Sequence, residues 1–212
     1  MPKAFTEQES TLIAQRLLEH GQRLFAAHGL RKTNVEEIAR AAGISKGAFY
    51  RFYESKEALF MEVIERTEER VRAQALEAIG RPGPSPRARL YGVLREAFAL
   101  FRTMPELQLI AGSDYDLLFR RVPAETVQKH LESDRAFMAE LVGRCREAGI
   151  PIRVPPERMA GLLYPLVLST LHEGELGQDP LGGNVEALLE LVAAFCLGEV
   201  ELELQGLESG GD

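Results

Sequence analysis

A chain of 212 residues, 45% of them hydrophobic, is long enough to bury a core of its own, as one domain or two. A net charge of −7 and two cysteines far apart, Cys145 and Cys196, argue against a uniformly basic nucleic-acid coat, a disulfide framework and a zinc site, and suit a reducing cytoplasm. The N-terminus has no apolar run of signal-peptide length; the longest uncharged run, "MAGLLYPLVLSTLH" at 159–172, is too short to span a bilayer and, holding Pro165, reads as a buried helix.

Helical spacing runs from end to end. "TEQESTLIAQRLLEHGQRLFAAHGL" carries apolar Ile13, Leu17, Leu24 and Phe25, with Thr6 and Glu9 as a capping box and Gly29 as a stop. "TNVEEIARAAG" repeats this on a smaller scale: Thr33 caps, Glu36 reaches back, and Gly43 closes. Ser45 caps a third helix from 46 to about 52. Ser55 or Glu54 opens a fourth that runs to about Ile79, with Leu59, Phe60, Val63, Ile64 and Val71 near one face.

"GRPGPSPRAR" at 80–89 cannot continue a helix and marks the principal break, although the fourth helix belongs physically to both halves. Further helices are predicted at about 86–103, 105–120, 123–148, 156–175 and 184–205, the last capped by Asn184. "GIPIRVPP" is an extended interruption and "GQDPLGGN" a loop. The expected fold is all-α with about nine helices: a three-helix head over residues 1–54, a helical body over 55–206 and a disordered tail at 207–212.

The charge is uneven. Residues 1–60 hold nine Lys and Arg against seven acids, and Arg31–Lys56 holds six against three. Such a local basic surface permits phosphate binding, because salt screens charge beyond roughly 8–10 Å. "GISKGAFYRFYESK", 43–56, concentrates four rings of the chain's fifteen: Phe49, Tyr50, Phe52 and Tyr53. Short helices joined by a Gly-centred turn read as a helix-turn-helix. Ile38 and Ala39 face inward, Ala42–Gly43 turns, and Ile44 with Phe49 fills the core. Phe52 or Tyr53 joins them, while Tyr50 points outward. Ser45, Lys46, Gly47 and Ala48 are presented outward, small enough at 47 and 48 to sit deep in a major groove.

"TNVEEIARAAGISKGAFYRFYESKEALF", extended upstream by "RLFAAHGLRKT", resembles the N-terminal domain of the TetR (tetracycline-repressor-like) transcriptional regulators over about residues 10–60. The resemblance implies a cytoplasmic, ligand-responsive repressor that binds a near-palindromic operator in double-stranded DNA as a homodimer, with no cofactor. It places Thr33, Ser45, Lys46, Gly47, Ala48, Tyr50, Arg51 and Lys56 at the DNA, with Lys46, Tyr50 and Lys56 mostly on phosphates. Phe52 stands where Tyr or His is usual and Tyr53 where Phe is usual, so the hydroxyl has moved one residue along.

The resemblance also implies a small-molecule pocket among the middle helices. Phe98, Phe101, Met104, Tyr115, Phe119, Phe137, Leu141 and Tyr164 are the candidates, and a hydrophobic effector such as a fatty acid or acyl-CoA would suit them. Arg95, Arg102, Arg120 and Arg121 would rim such a pocket, whereas Asp114 and Asp116 suit a cation and a solvated face explains all six. The alternative is the same DNA-binding fold regulated by a protein partner. The two last helices are apolar on more than one face, so Leu162, Leu166, Val167, Leu188, Leu191, Val192 and Phe195 are expected at a dimer interface. His20, His28, His130 and His172 are scattered, with no pair at metal spacing on one helix. No nucleophile–base pair or phosphate loop is legible, so no enzyme and no metal are expected.

Overall fold

The computed structural model describes residues 5–104, 121–171 and 184–200. These fold into α1 (Glu7–Lys32), α2 (Val35–Ala41), α3 (Lys46–Phe49), α4 (Lys56–Ala78), α5 (Pro86–Thr103), α6 (Ala124–Glu147), α7 (Pro156–Leu171) and α8 (Asn184–Cys196). Eight helices among the described residues stand close to the nine expected. The helix expected at 105–120, most of the loop at 177–184 and the tail at 207–212 fall outside the described residues.

Helix starts follow capping chemistry. The Glu9 N–H donates to Thr6 Oγ1 at 3.2 Å, and the Thr6 N–H donates back to Glu9 Oε2 at 2.7 Å. Ser45, Ser55 and Ser85 hydroxyls accept from the N–H groups of Ala48, Ala58 and Ala88 at 3.2, 3.1 and 3.1 Å. Each such cap is worth about 1 kcal/mol. Pro86 occupies the first position of α5, where its missing N–H costs no bond. One start differs from expectation. α2 opens at Asn34, whose N–H lies 3.4 Å from Glu37 Oε2. Thr33 is buried, and its hydroxyl faces Gly29 O at 2.7 Å and Leu24 O at 3.2 Å. It finishes α1 instead of capping α2.

The end of α8 also differs. It stops at Cys196, not near 205, because Gly198 takes φ +72°. The Gly198 N–H donates to Phe195 O at 2.9 Å and the Glu199 N–H to Ala194 O at 3.0 Å, a Schellman end.

Two apolar cores result. The first belongs to the head: Leu17, Phe25, Leu30, Ile38, Phe49, Leu59 and Phe60 are fully buried. Phe25 and Phe60 meet edge to face at 4.9 Å. A Cβ on Gly21 would come within 2.9 Å of Leu59 Cδ2, so this glycine lets α1 and α4 cross closely. The second core gathers Leu90, Val93, Leu94 and Phe98 from α5, Leu141, Val142 and Cys145 from α6, Met159 and Leu163 from α7, and Leu189, Ala193 and Cys196 from α8.

α4 runs through both cores. Leu59, Phe60, Val63, Ile64 and Val71 enter the first, and Ala75 and Ala78 the second. Burying a Leu, Ile or Phe side chain is worth about 1.5–3 kcal/mol, so the helix cannot shift without disturbing head and body together. A second link lies beside it. Phe101 and Met104 at the end of α5, with Val122 and Val127, lean on the head core. Arg121 Nη1 donates to Glu57 Oε1 at 3.4 Å, in the first turn of α4.

Ile150, Ile152 and Val154 are buried while Pro151 and Arg153 face water, the alternation of an extended strap. The Arg153 N–H donates to Cys196 O at 2.8 Å and fixes that strap to the end of α8. No described helix is long and apolar enough to cross a membrane.

Candidate nucleic-acid interface

α2 and α3 join through Ala42–Ile44, the turn of a helix-turn-helix. Gly43 has φ +79°, its N–H donates to Arg40 O at 3.1 Å, and the Ile44 N–H donates to Ala39 O at 2.9 Å. A side chain would strain that backbone, so the turn requires glycine. Ile38, Ala39 and Phe49 are fully buried beneath it, and Ile44 packs partly buried at their edge.

The four clustered rings divide their tasks. Phe49 anchors α3, taking Tyr50 edge-on at 5.5 Å and Tyr53 at 5.9 Å. α3 is shorter than the predicted 46–52. Beyond Phe49 the chain goes on in tight turns, with the Arg51 N–H on Ala48 O at 3.1 Å and the Phe52 N–H on Phe49 O at 2.9 Å. Phe52 packs half-buried against Phe5 with ring centres 6.0 Å apart. Tyr53, also half-buried, donates its hydroxyl to Glu62 Oε2 at 2.8 Å, and burial followed by that carboxylate pushes its phenol well up. The displaced hydroxyl is therefore committed inside the head. Of the four, Tyr50 stands outward, 51% exposed.

Ser45, Lys46, Gly47 and Arg51 are exposed with it, and Ala48 is half-exposed. A Cβ built on Gly47 meets no atom within 4 Å, so the face is flat there. Lys46 Nζ donates to Glu36 Oε1 at 2.9 Å. That hydrogen bond, then the mutual charge, holds Glu36 below the usual carboxylate range and Lys46 above its ordinary value. An exposed pair like this is weakly held, so the ammonium exchanges partners at little cost. The Arg51 guanidinium lies over the Phe5 ring at 5.0 Å, which tethers it at the rim of the face.

Two expected contacts have other tasks. Thr33 is fully buried and its hydroxyl turns inward. Lys56 Nζ donates to Leu30 O at 2.5 Å, Thr33 O at 2.8 Å and Arg31 O at 3.2 Å. Its three protons meet three carbonyls at the negative end of α1, so this lysine staples α1 to α4 and is not available to a phosphate. Lys56→Met should lower stability in urea by about 2–3 kcal/mol, since hydrogen bonds to a charged group are worth about 1.5–3 kcal/mol each and water reclaims part of the loss. A variant as stable as wild type would make the staple incidental.

In the body, the expected pocket residues that are described divide between the two cores and the surface. Phe98 and Leu141 lie in the second core, and Phe137 packs at its edge beneath the Arg72 guanidinium at 5.4 Å. Phe101 and Met104 lean on the head core instead, and Tyr164 is 50% exposed. Tyr115, Phe119, Asp114, Asp116, Arg120 and His172 lie outside the described residues. Arg95 stacks over Tyr91 at 5.8 Å, and Arg121 serves Glu57. Of the expected interface residues, Leu191 is 58% exposed, while Leu162, Leu166, Val167, Leu188 and Phe195 are half-buried. Val192 packs into the body's own core.

A polar cluster between α4 and α6 escaped sequence reasoning. Glu68, His130 and Asp134 converge there beside Arg72. Burial, then the charge of Asp134, pushes the Glu68 carboxyl up to about 8. The local signal was His130 and Asp134 at i and i+4; Glu68 lies on a different helix.

The family model "Bacterial regulatory proteins, tetR family" matches residues 17–63, which contain the helix-turn-helix. The HTH-type transcriptional regulator AcrR of Shigella flexneri is 38% identical over 72 residues, 34% of this chain and 34% of that protein. A Mesorhizobium loti structure assigned to the same family matches with a TM-score of 0.64 at 20% identity, over 93% of this chain and 100% of its own. Residues 17–63 therefore carry the DNA-binding domain of the tetR family of bacterial regulatory proteins. The chain shares its fold with FadR from Bacillus subtilis, solved in complex with stearoyl-CoA, at TM-score 0.57 and 14% identity over 88% of this chain and 99% of that one. The match to AcrR spans about a third of that relative's length.

Proposed function

We propose that this protein is a ligand-responsive transcriptional repressor of the TetR family that binds a near-palindromic operator as a homodimer. The carrying observation is the flat outward face of α3. Gly47 leaves open space at its centre, Lys46 and Tyr50 stand beside it, and Phe49 fixes it from below. Ser45, Lys46, Gly47, Ala48, Tyr50 and Arg51 are the proposed DNA contacts. Lys46 and Tyr50 take phosphates and so position the protein, while the small residues admit the helix to the base edges.

The half-exposed apolar side chains of α7 and α8, above all Leu191, support a four-helix dimer interface. Two heads held that way would reach successive major grooves about 34–36 Å apart. Release requires an effector that binds the two head spacings unequally, and α4, shared by both cores, is the lever. A fatty acid or acyl-CoA is the proposed effector class, consistent with the stearoyl-CoA held by the Bacillus subtilis fold neighbour.

Selection of bound genomic fragments, followed by footprinting across a salt series, tests this reading. Two protected major-groove segments in an inverted repeat are expected. Sequence-independent binding alone would remove the operator. In the same series Lys46→Ala should reduce the slope of log K against log salt by about one, the signature of one lost phosphate contact. An unchanged slope takes Lys46 off the backbone.

A second reading replaces the small molecule by a protein partner. It is favoured by the division of Phe98, Phe101, Met104, Phe137 and Leu141 between two cores. Thermal melting with a set of acyl-CoAs separates the readings: a rise in Tm supports the effector, and none supports the partner.

A further inference from the structure

The seam between α4 and α6 contains a built set of donors. Glu68 on α4 and His130 and Asp134 on α6 each place one donor atom so that all lie within 4.8 Å of one another. His130 and Glu68 side chains are largely withdrawn from water, at 13% and 14% exposed. His130 Nδ1 stands 3.7 Å from Glu68 Oε2, and Nε2 stands 3.8 Å from Asp134 Oδ2. Both separations are too long for hydrogen bonds, so the imidazole sits between two carboxylates without bonding either.

Arg72 occupies the outer side. Its Nη2 donates to Asp134 Oδ1 at 2.5 Å and approaches Glu68 Oε2 at 3.5 Å, and its Nη1 donates to Ser133 Oγ at 2.7 Å. Glu65, one turn earlier on α4, adds a third carboxylate to the same field. One guanidinium therefore faces three acids, and the seam has room for further positive charge.

We infer that Glu68, His130 and Asp134 form a binding site for a divalent transition-metal ion of the zinc class. Zinc bonds to nitrogen and oxygen at about 2.0–2.2 Å, which sets tetrahedral donors about 3.3 Å apart. A single ion takes one ring nitrogen of His130, and the three donor atoms, one from each residue and all within 4.8 Å of one another, reach that spacing by side-chain rotation. Arg72 holds the outer oxygen of Asp134, which turns Oδ2 toward His130, the outer-partner arrangement that orients metal ligands. A ring nitrogen with two carboxylates suits zinc better than magnesium, which favours oxygen alone, or a soft ion, which favours thiolates. Both cysteines are buried elsewhere in the second core. Three protein donors leave a fourth position for water.

A metal here would clamp α6 to α4 one turn before Val71, where the helix still packs on the head core. The site stands apart from the DNA-binding reading, because its occupancy requires no operator.

The full chain, stripped with a chelator and melted in the presence of zinc chloride, tests the site without DNA. Zinc at about a hundred times its Kd should raise Tm by about 5–10 °C. His130→Gln and Asp134→Asn should each abolish the shift, while Lys46→Ala in the head should retain it. Cobalt(II) should bind in place of zinc and give a visible absorption band that both seam variants lose. Two variants keep the result readable should one fold poorly. No zinc-dependent shift in the wild type, or a shift that survives in both seam variants, overturns the site.

Discussion

Gly47→Leu should reduce operator affinity at least about a hundredfold, or roughly 3 kcal/mol, while Tm stays level or rises. In the unbound protein a Cβ at this position meets no atom within 4 Å, so the fold gives the new side chain no clash. Leucine also favours helix over glycine by up to about 1 kcal/mol. Any loss of binding therefore belongs to the complex, where the leucine would hold α3 off the floor of the groove. Fluorescence anisotropy with operator and non-specific DNA, read beside calorimetric melting, checks it. Retained operator affinity would mean that another face of α3 meets the DNA. A fall in both Tm and affinity would mean that position 47 supports the fold.

Leu191→Glu should convert the dimer to a folded monomer, with a dissociation constant raised at least about a thousandfold. The same substitution at Leu163 or Val192 would strike the body's own core, because both are buried within one subunit. Leu191 is 58% exposed, so a single subunit accepts the charge readily. At a two-fold interface the substitution appears twice, near its own copy, and two unpaired charges must then leave water. Sedimentation measures the association, and circular dichroism shows whether the helices persist. A stable dimer with normal helicity would move the interface away from α8. Operator binding should fall with dimerisation, since two linked heads raise each other's effective concentration at paired half-sites.

Much of the architecture was legible because helix starts are local. Thr6 with Glu9, Ser45, Ser55, and Ser85 before Pro86 all act within three residues of themselves. The helix-turn-helix was legible for the same reason: Gly43 and its buried neighbours Ile38, Ala39 and Phe49 lie within twelve positions. Contacts that cross the chain were not. Lys56 reads as one more outward cation until its carbonyl partners, 23 to 26 residues away, are in place. Arg72 finds Asp134 62 residues on, and no periodicity announces it. The body posed a further ambiguity. A helix apolar on several faces does not reveal which face meets its own chain, so Val192 and Leu191, one position apart, were grouped together although one is internal and the other outward. The stop of α8 was a different kind of miss, because Gly198 is a local signal that apolar spacing outweighed.

The continuity of α4 bears on how regulators of this build can be recombined. Transplanting the head at the start of that helix would leave Leu59, Phe60, Val63 and Ile64 behind with the donor body and hollow out the head's own core. A chimaera must carry the helix through Val71, yet by Ala75 it already faces the recipient's core. The junction at which a foreign sensor can be grafted is thus a single helical turn, and Arg72 lies within it.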